Sequence, residues 1–305
     1  MRRILLQQVT KTFDGVTAVD GLDLDIAAGE TFGLLGPNGA GKTTTIRTIL
    51  GIYGPDSGTI DYDNGGTGLS RDRIGYLPEE RGLYPKMRVM DLLVFLGEIK
   101  SLSRSEAAGR AGEWLERMGL SEWANRRVDQ LSKGMQQKLQ FIATVMHDPD
   151  LLILDEPFSG LDPINVAVLK EIMQTLTSEG KILIFSTHQM EDAEALCDRI
   201  CLINRGRKVL DGTVTELKSH YTRNRLRIAF EGSGDFLENT NLVRHTEQRG
   251  NHVEVELQTG ADPGDLLRTA LSAARIHRFE VSEPSLRDIF LMAVGGEDSG
   301  GEQDE

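Results

Sequence analysis

A glycine-rich segment at residues 36–43, Gly-Pro-Asn-Gly-Ala-Gly-Lys-Thr, constrains the fold of this 305-residue chain more than any other feature. It fits the pattern G-x-x-x-x-G-K-[ST] and lies between a short apolar strand, predicted at 31–35, and a helical pattern at 42–50. Glycines let backbone N–H groups converge on an anion, and the helix that follows adds the positive end of its dipole. The sequence therefore predicts a phosphate-binding loop inside an α/β fold.

Strand and helix patterns alternate after this loop. A short strand closed by Pro78 is predicted at 74–77, and continuous apolar runs, typical of parallel strands buried on both faces, occur at 151–154 and 181–185. Helical periodicity predicts the intervening helices 89–100, 105–118, 132–147 and 163–179. Two further strands are predicted at 4–9 and 22–26. This alternation predicts a doubly wound, mostly parallel sheet, with additional antiparallel β structure and helices.

The pattern changes after about Leu217. Polar and apolar residues alternate at 225–230 and 252–257, Gly250 and Asn251 mark a turn, and 262–274 is an amphipathic helix. We therefore predict a larger domain at 1–217, which carries the phosphate-binding loop, and a small α+β domain at 218–294. Residues 295–305 are acidic and glycine-rich, which predicts a disordered tail.

Charge and hydropathy exclude several classes of protein. The formal net charge of −13 argues against nucleic acid as a partner, since binding to phosphate backbones requires clustered Lys and Arg. No apolar run approaches the roughly 20 residues that cross a bilayer, so contact with a membrane is expected only through a partner. Cys197 and Cys201 are too few for a disulfide scaffold, and we expect them to be buried and reduced.

The loop predicts ATP as the ligand and Mg²⁺ as its cofactor. Lys42 is expected to reach the outer phosphates, and the Thr43 hydroxyl is expected to help hold Mg²⁺. The residues expected to contact the nucleotide here are Gly36, Pro37, Asn38, Gly39, Ala40, Gly41, Lys42, Thr43 and Thr44.

Two acids follow the buried strand at 151–154. Ligands of an α/β sheet bind at the carboxyl ends of its strands, so Asp155 is placed to support Mg²⁺. Glu156 is placed to orient and deprotonate an attacking water. His188, shortly after the strand at 181–185, can donate a hydrogen bond to the terminal phosphate. The alternatives are that one acid only caps a helix and that the histidine is an ordinary surface or core residue.

These residues, taken together, resemble the ABC-type ATPases. The segment Leu-Ser-Lys-Gly-Met-Gln-Gln at 131–137 resembles the signature of that family, Ser-Gly-Leu-Asp at 159–162 its D-loop and His188 its switch histidine. Phe13 resembles the aromatic residue that stacks on adenine. The resemblance covers roughly residues 1–217. It implies a P-loop NTPase fold and a head-to-tail dimer, in which Ser132 and Gly134 of one subunit contact the ATP of the other.

The sequence departs from this family pattern in two places. Lys133 and Met135 replace usual signature residues. Glu79, followed by Glu80, stands where the family has the Q-loop glutamine. Glu79 can still offer an oxygen to Mg²⁺ or to water, but it adds a negative charge near the terminal phosphate.

Residues 79–87 and 283–290 resemble a branch of ABC exporter ATPases that includes sodium-extrusion and drug-resistance systems. The resemblance implies an energy-coupling subunit at the cytoplasmic face of the cell membrane, with a separate permease and a second ATPase subunit, expected to be an identical copy. The alternative is a soluble ABC ATPase with a regulatory or ribosome-associated role. Roles on ribosomes or DNA are disfavoured because the chain has one ATPase unit, no heptad run and an acidic composition. A regulator that binds ATP without hydrolysing it is disfavoured because Glu156, the expected base, is present.

Overall fold

The computed structural model describes residues 1–63, 70–80, 82–221, 225–258, 260–281 and 284–298. The chain divides into two compact units, with the division between Thr213 and Val214. The boundary predicted at 217/218 falls inside a helix that starts at Val214, so the structure places the division slightly earlier.

The first unit alternates strands and helices. Its elements are β1 (Arg3–Phe13), β2 (Val16–Ala27), β3 (Thr31–Leu35), α1 (Lys42–Ile49), β4 (Ser57–Asp63), β5 (Ile74–Leu77), α2 (Val89–Ile99), α3 (Arg104–Arg117), α4 (Lys133–Val145), β6 (Leu151–Asp155), α5 (Pro163–Ser178), β7 (Ile182–Thr187), α6 (Met190–Leu196), β8 (Arg199–Asn204) and β9 (Arg207–Thr213).

The central sheet of this unit has six strands in the order β5-β6-β7-β3-β8-β9. All neighbours run parallel except β8 and β9, which are antiparallel. Strands β3, β6 and β7 are buried along their whole length, as their continuous apolar runs predicted. This order brings the carboxyl ends of β3, β6 and β7 side by side, directly beside the glycine-rich loop.

A second sheet, antiparallel in the order β2-β1-β4, packs on the same core. Leu22, Leu24 and Ile26 of β2 are buried, whereas Asp23 and Asp25 between them are not, as alternation predicted. Residues of β1 and β2 share one hydrophobic cluster with β3, α1, β6, β7 and β8. This shared core holds the β1–β2 hairpin close to α1, which starts at the glycine-rich loop.

The second unit consists of α7 (Val214–Tyr221), β10 (Arg225–Gly232), β11 (Val243–Arg249), β12 (His252–Leu257), α8 (Pro263–Ala273), β13 (Ala274–Val281) and α9 (Leu286–Asp298). Its sheet is antiparallel in the order β11-β12-β10-β13. Gly250 lies in the turn that joins β11 to β12, where a turn was predicted. Helix α9 extends through Asp298, so the first residues of the predicted tail are helical, and 299–305 lie outside the described residues.

Two sequence expectations can be compared with these units. Cys197 and Cys201 are both buried and unpaired, as expected. Among the described residues, no helix is long and apolar enough to cross a membrane.

Candidate active site

The glycine-rich loop joins β3 to α1, and at two of its positions only glycine fits. Gly36 and Gly41 have φ angles of +151° and +106°. A Cβ atom at Gly36 would lie 2.2 Å from the Ile203 carbonyl oxygen, and one at Gly41 would lie 2.3 Å from the Ala18 carbonyl oxygen. The loop is therefore pressed against neighbouring backbone, which fixes its curvature around a phosphate-sized space.

The ammonium group of Lys42 points into this loop. Its Nζ donates to the carbonyl oxygens of Gly36, at 2.7 Å, and Pro37, at 3.1 Å. Burial lowers the pKa of Lys42, and the nearby carboxylates of Glu156, Asp155 and Glu79 act in the opposite direction. A buried cation inside a curve of backbone amides is suited to the outer phosphates of a nucleotide.

Asp155, the last residue of β6, is almost fully buried, with 1% of its surface exposed. Its Oδ2 accepts a hydrogen bond from Thr43 Oγ1 at 3.0 Å, and its Oδ1 accepts one from Ser186 Oγ. The carboxylate is thus held between the start of α1 and the end of β7. Ser186 was missed by the sequence analysis, although a hydroxyl at the end of a buried apolar strand could have indicated it.

Glu156 and His188 meet at the same edge of the sheet. Glu156 Oε1 accepts a hydrogen bond from the His188 backbone N–H at 3.0 Å and lies 2.8 Å from His188 Nδ1. Thr187 Oγ1 donates to Glu156 Oε2 at 3.4 Å. The φ angle of Glu156 is +50°, which is uncommon for a residue with a side chain and often found at functional positions. The structure therefore brings together the two residues predicted to act in catalysis.

A cavity of about 270 Å³ lies over these groups. Its lining residues are Ala18, Asn38, Gly39, Ala40, Gly41, Lys42, Thr43, Thr44, Glu79, Asp155 and Glu156. Glu79 therefore lies at the same site as the phosphate loop, although it comes from the segment after β5. The Thr43 hydroxyl and the carboxylates of Asp155 and Glu79 are hard oxygen donors, the kind that Mg²⁺ prefers.

Phe13 is at the end of β1 and is not among the described residues that line this cavity. The residue is 38% exposed, and its ring meets the Tyr53 ring edge-on, with 5.1 Å between centroids. Lys11 Nζ lies 5.4 Å from the Phe13 centroid and forms an ion pair with Asp56. An exposed aromatic ring held by neighbours is suited to stacking on a base. Tyr53 was not identified from the sequence.

Ser132 and Gly134 stand at the start of α4. Ser132 is the N-cap residue, and its Oγ accepts a hydrogen bond from the Met135 N–H at 3.3 Å. Neither residue lines the cavity within the described part of its own chain. The structure thus presents them as the start of a helix separate from the phosphate loop.

Comparisons with known proteins agree with this arrangement. The family model described as "ABC transporter" matches residues 19–159. The model for the C-terminal domain of DrrA1-3-like ATP-binding proteins matches residues 212–294, which confirms the predicted resemblance of the small domain.

Several relatives match along nearly their whole length, among them two from different bacteria. The ABC transporter ATP-binding protein YhaQ of Bacillus subtilis is 43% identical over 96% of this chain and 98% of its own. The Nod factor export ATP-binding protein I of Cupriavidus metallidurans is 36% identical over 96% of this chain and 97% of its own.

Solved structures confirm the predicted fold class. The dimeric structure of the bacterial ABC transporter cassette MJ0796 has a TM-score of 0.63 and 26% identity, and covers 69% of this chain and 98% of the cassette. A second structure of that cassette represents a post-hydrolysis state bound to ADP and Pi. With the phosphate loop, the paired acids and the full-length relatives all in agreement, this chain belongs to the ATP-binding proteins of ABC transporters and is an ATPase.

Proposed function

We propose that this chain is the ATP-hydrolysing subunit of an ABC-type exporter and that ATP drives its dimerisation. The observation that carries the proposal is the single cavity shared by the phosphate loop, Asp155 and Glu156. The export role is supported by a relative named for Nod factor export, which matches this chain along nearly its whole length.

In the proposed reaction, water attacks the terminal phosphorus of ATP, the bond to the bridging oxygen breaks, and ADP and phosphate leave. Lys42 and the loop amides bind the phosphates and stabilise the charge on them. Glu156 orients the water and accepts its proton. His188 contacts the same carboxylate, which supports a role for it as a hydrogen-bond donor to the terminal phosphate.

Mg²⁺ is the proposed cofactor, held by Thr43, Asp155 and Glu79. Once bound, it supplies positive charge that offsets the phosphate oxygens. Asp155 is prepared for this role because Thr43 and Ser186 orient its two oxygens. Glu79 contributes a carboxylate where a glutamine is usual in the family.

The proposed partners are a second copy of this chain and a separate integral-membrane permease. In the dimer, Ser132 and Gly134 of one subunit complete the ATP site of the other, with the N-terminus of α4 directed at the phosphates. The chain would then work at the cytoplasmic face of the cell membrane, attached through the permease.

The catalytic part of the proposal is tested with Glu156→Gln. This variant should bind ATP, hydrolyse it about 100-fold or more slowly, and elute as a dimer when ATP is present. Phosphate release and size-exclusion chromatography measure the two effects. Glu171→Gln, a matched change on the exposed face of α5, should behave as wild type. Wild-type turnover by the Glu156 variant would remove that residue as the base.

The partner is tested by purifying the chain from membranes and identifying what accompanies it. An integral-membrane protein whose presence changes ATP turnover would support the exporter. Recovery with ribosomes instead would overturn it.

A further inference from the structure

A polar stripe along α4 and the residues just after it lies against the β5 edge of the central sheet. Strand β5 is the edge strand next to β6, so one row of its carbonyl oxygens has no strand partner. His147, just beyond α4, and Thr144 on α4 contact this row, Gln140 on α4 reaches the loop that follows the strand, and Lys100 Nζ also donates to Ile74 O at 2.9 Å. The contacts are His147 Nε2 with Ile74 O at 3.0 Å, Thr144 Oγ1 with Tyr76 O at 3.4 Å, and Gln140 Nε2 with Pro78 O at 3.2 Å and Glu80 O at 3.3 Å.

The contact of Gln140 differs from the other two because it extends beyond the strand. Its amide nitrogen contacts two carbonyl oxygens, one on each side of Glu79 in the sequence. Gln140 itself is 5% exposed. The loop backbone that carries Glu79 into the nucleotide cavity is therefore attached, at both neighbouring residues, to one buried side chain.

The same helix also holds the segment that carries the other acid. Gln137 Nε2 donates to the carbonyl oxygen of Pro157 at 3.1 Å, immediately after Glu156. Gln137 is 4% exposed. Two buried glutamines on one face of α4 thus support, from behind, two of the loops that line the cavity, and α4 begins at Ser132 and Lys133.

We propose that Gln140 is the positioning residue for Glu79, and that it makes α4 and the Glu79 loop move as one body. The inference rests on the proposed role of Glu79 at the nucleotide site. Displacing the start of α4 would then displace Glu79 as well, so the geometry at the phosphates would depend on the position of the helix. Without Gln140, the loop carbonyls would turn to water, because Glu80 is exposed and Pro78 is only partly buried.

The test is a double-mutant cycle that combines Gln140→Met with Glu79→Ala. Methionine keeps the length of the side chain and removes the donor, so the core should remain filled. We expect Gln140→Met alone to lower kcat/KM for ATP by about five- to tenfold, the effect of one or two lost hydrogen bonds. In the Glu79→Ala background the same change should have less than about a twofold effect, because its target is gone. Gln140→Ala is made in parallel in case the methionine variant does not fold.

A second measurement does not depend on turnover. Exchange of the backbone amide hydrogens of Glu79, Glu80 and residues 82–84 in the nucleotide-free protein should become faster in Gln140→Met. The matched control is Thr144→Val, whose hydroxyl contacts the carbonyl oxygens of Gln140, at 2.9 Å, and Tyr76, at 3.4 Å, and not those of the Glu79 loop, so it should leave that exchange unchanged.

Two results would overturn the proposal. One is that Gln140→Met lowers kcat/KM by the same factor whether residue 79 is Glu or Ala, since a purely structural glutamine would act independently of Glu79. The other is unchanged exchange in the loop. If Glu79→Ala alone keeps wild-type activity, the role of Glu79 in the proposed function fails, and the exchange experiment still decides whether Gln140 holds the loop.

Discussion

Replacing Gly41 by alanine tests whether the curvature of the phosphate loop is set by its contact with β2. A Cβ atom there would lie 2.3 Å from the carbonyl oxygen of Ala18, whereas ordinary contacts begin at 3.4 Å. The loop and the start of α1 must therefore retreat by about 1 Å. The φ angle of +106° adds strain for any residue with a side chain.

The free-energy cost of Gly41→Ala follows from the contact with Ala18 and from the φ angle. The unfavourable backbone region costs about 1–2 kcal/mol, and overpacking against a rigid backbone atom costs about 1–3 kcal/mol. If the loop relaxes away from its phosphate-binding shape, a loss of about 2–5 kcal/mol appears in nucleotide binding. That corresponds to about a 30-fold or greater increase in the Kd for ATP.

Gly39 provides the matched control in the same loop. Its φ angle is +79°, but a Cβ atom there would meet nothing within 4 Å. Gly39→Ala should therefore carry only the backbone cost of about 1–2 kcal/mol, which corresponds to about a five- to thirtyfold increase in Kd. Isothermal titration with ATP compares the two variants, and circular dichroism checks that both fold. Equal Kd values for Gly41→Ala and Gly39→Ala would refute the argument, because the Ala18 contact would then have no effect.

Three further predictions follow from the structure. Glu79→Gln should keep ATP turnover within about threefold of wild type, because the amide oxygen can still serve as a metal ligand; total loss in a phosphate-release assay would mean that the carboxylate has a specific task. Tyr53→Ala should raise KM for ATP about three- to tenfold with kcat unchanged, because the Phe13 ring proposed to stack on the base loses its edge-on contact, whereas unchanged KM would show that Tyr53 does not hold Phe13. Burial lowers the pKa of His147 to about 4, so the folded state stays neutral while the unfolded state gains a proton. The contribution of neutral His147 to the free energy of unfolding is fully present above about pH 6.5 and declines as the pH falls toward 4. Between pH 7 and pH 5, the free energy of unfolding measured by urea denaturation should fall by about 2 kcal/mol more in wild type than in His147→Gln. Equal losses in the two proteins would contradict the neutral state of His147.

The central strands could be predicted because their residues carry the information locally. Strand β5 and strand β12 begin and end where their patterns predicted, since unbroken or alternating apolar residues end at clear turn signals. Strand β4 (Ser57–Asp63) was missed because most of its residues are exposed and few are apolar. It forms a strand because it pairs with β1, and such pairing overrides weak propensity.

The phosphate loop and the acids after β6 were likewise predictable, since each combines a residue pattern with a strand end. The family resemblance added Ser132, Gly134 and Phe13, whose action on a nucleotide stays a prediction. Contacts such as that between Ser186 and Asp155 join residues from different strands, and local pattern does not specify them.

By itself, the sequence determined that a strand, a glycine turn and a helix follow one another at residues 31–50, and this was enough to predict a nucleotide site. The order of the strands, which places Glu79, Asp155, Glu156 and His188 at one edge, was decided by the tertiary structure. The physical reason is the distance along the chain over which each influence acts. Backbone geometry and propensity act over a few residues, whereas the attachment of Gln140 to the Glu79 loop depends on how α4 packs on the edge of the sheet.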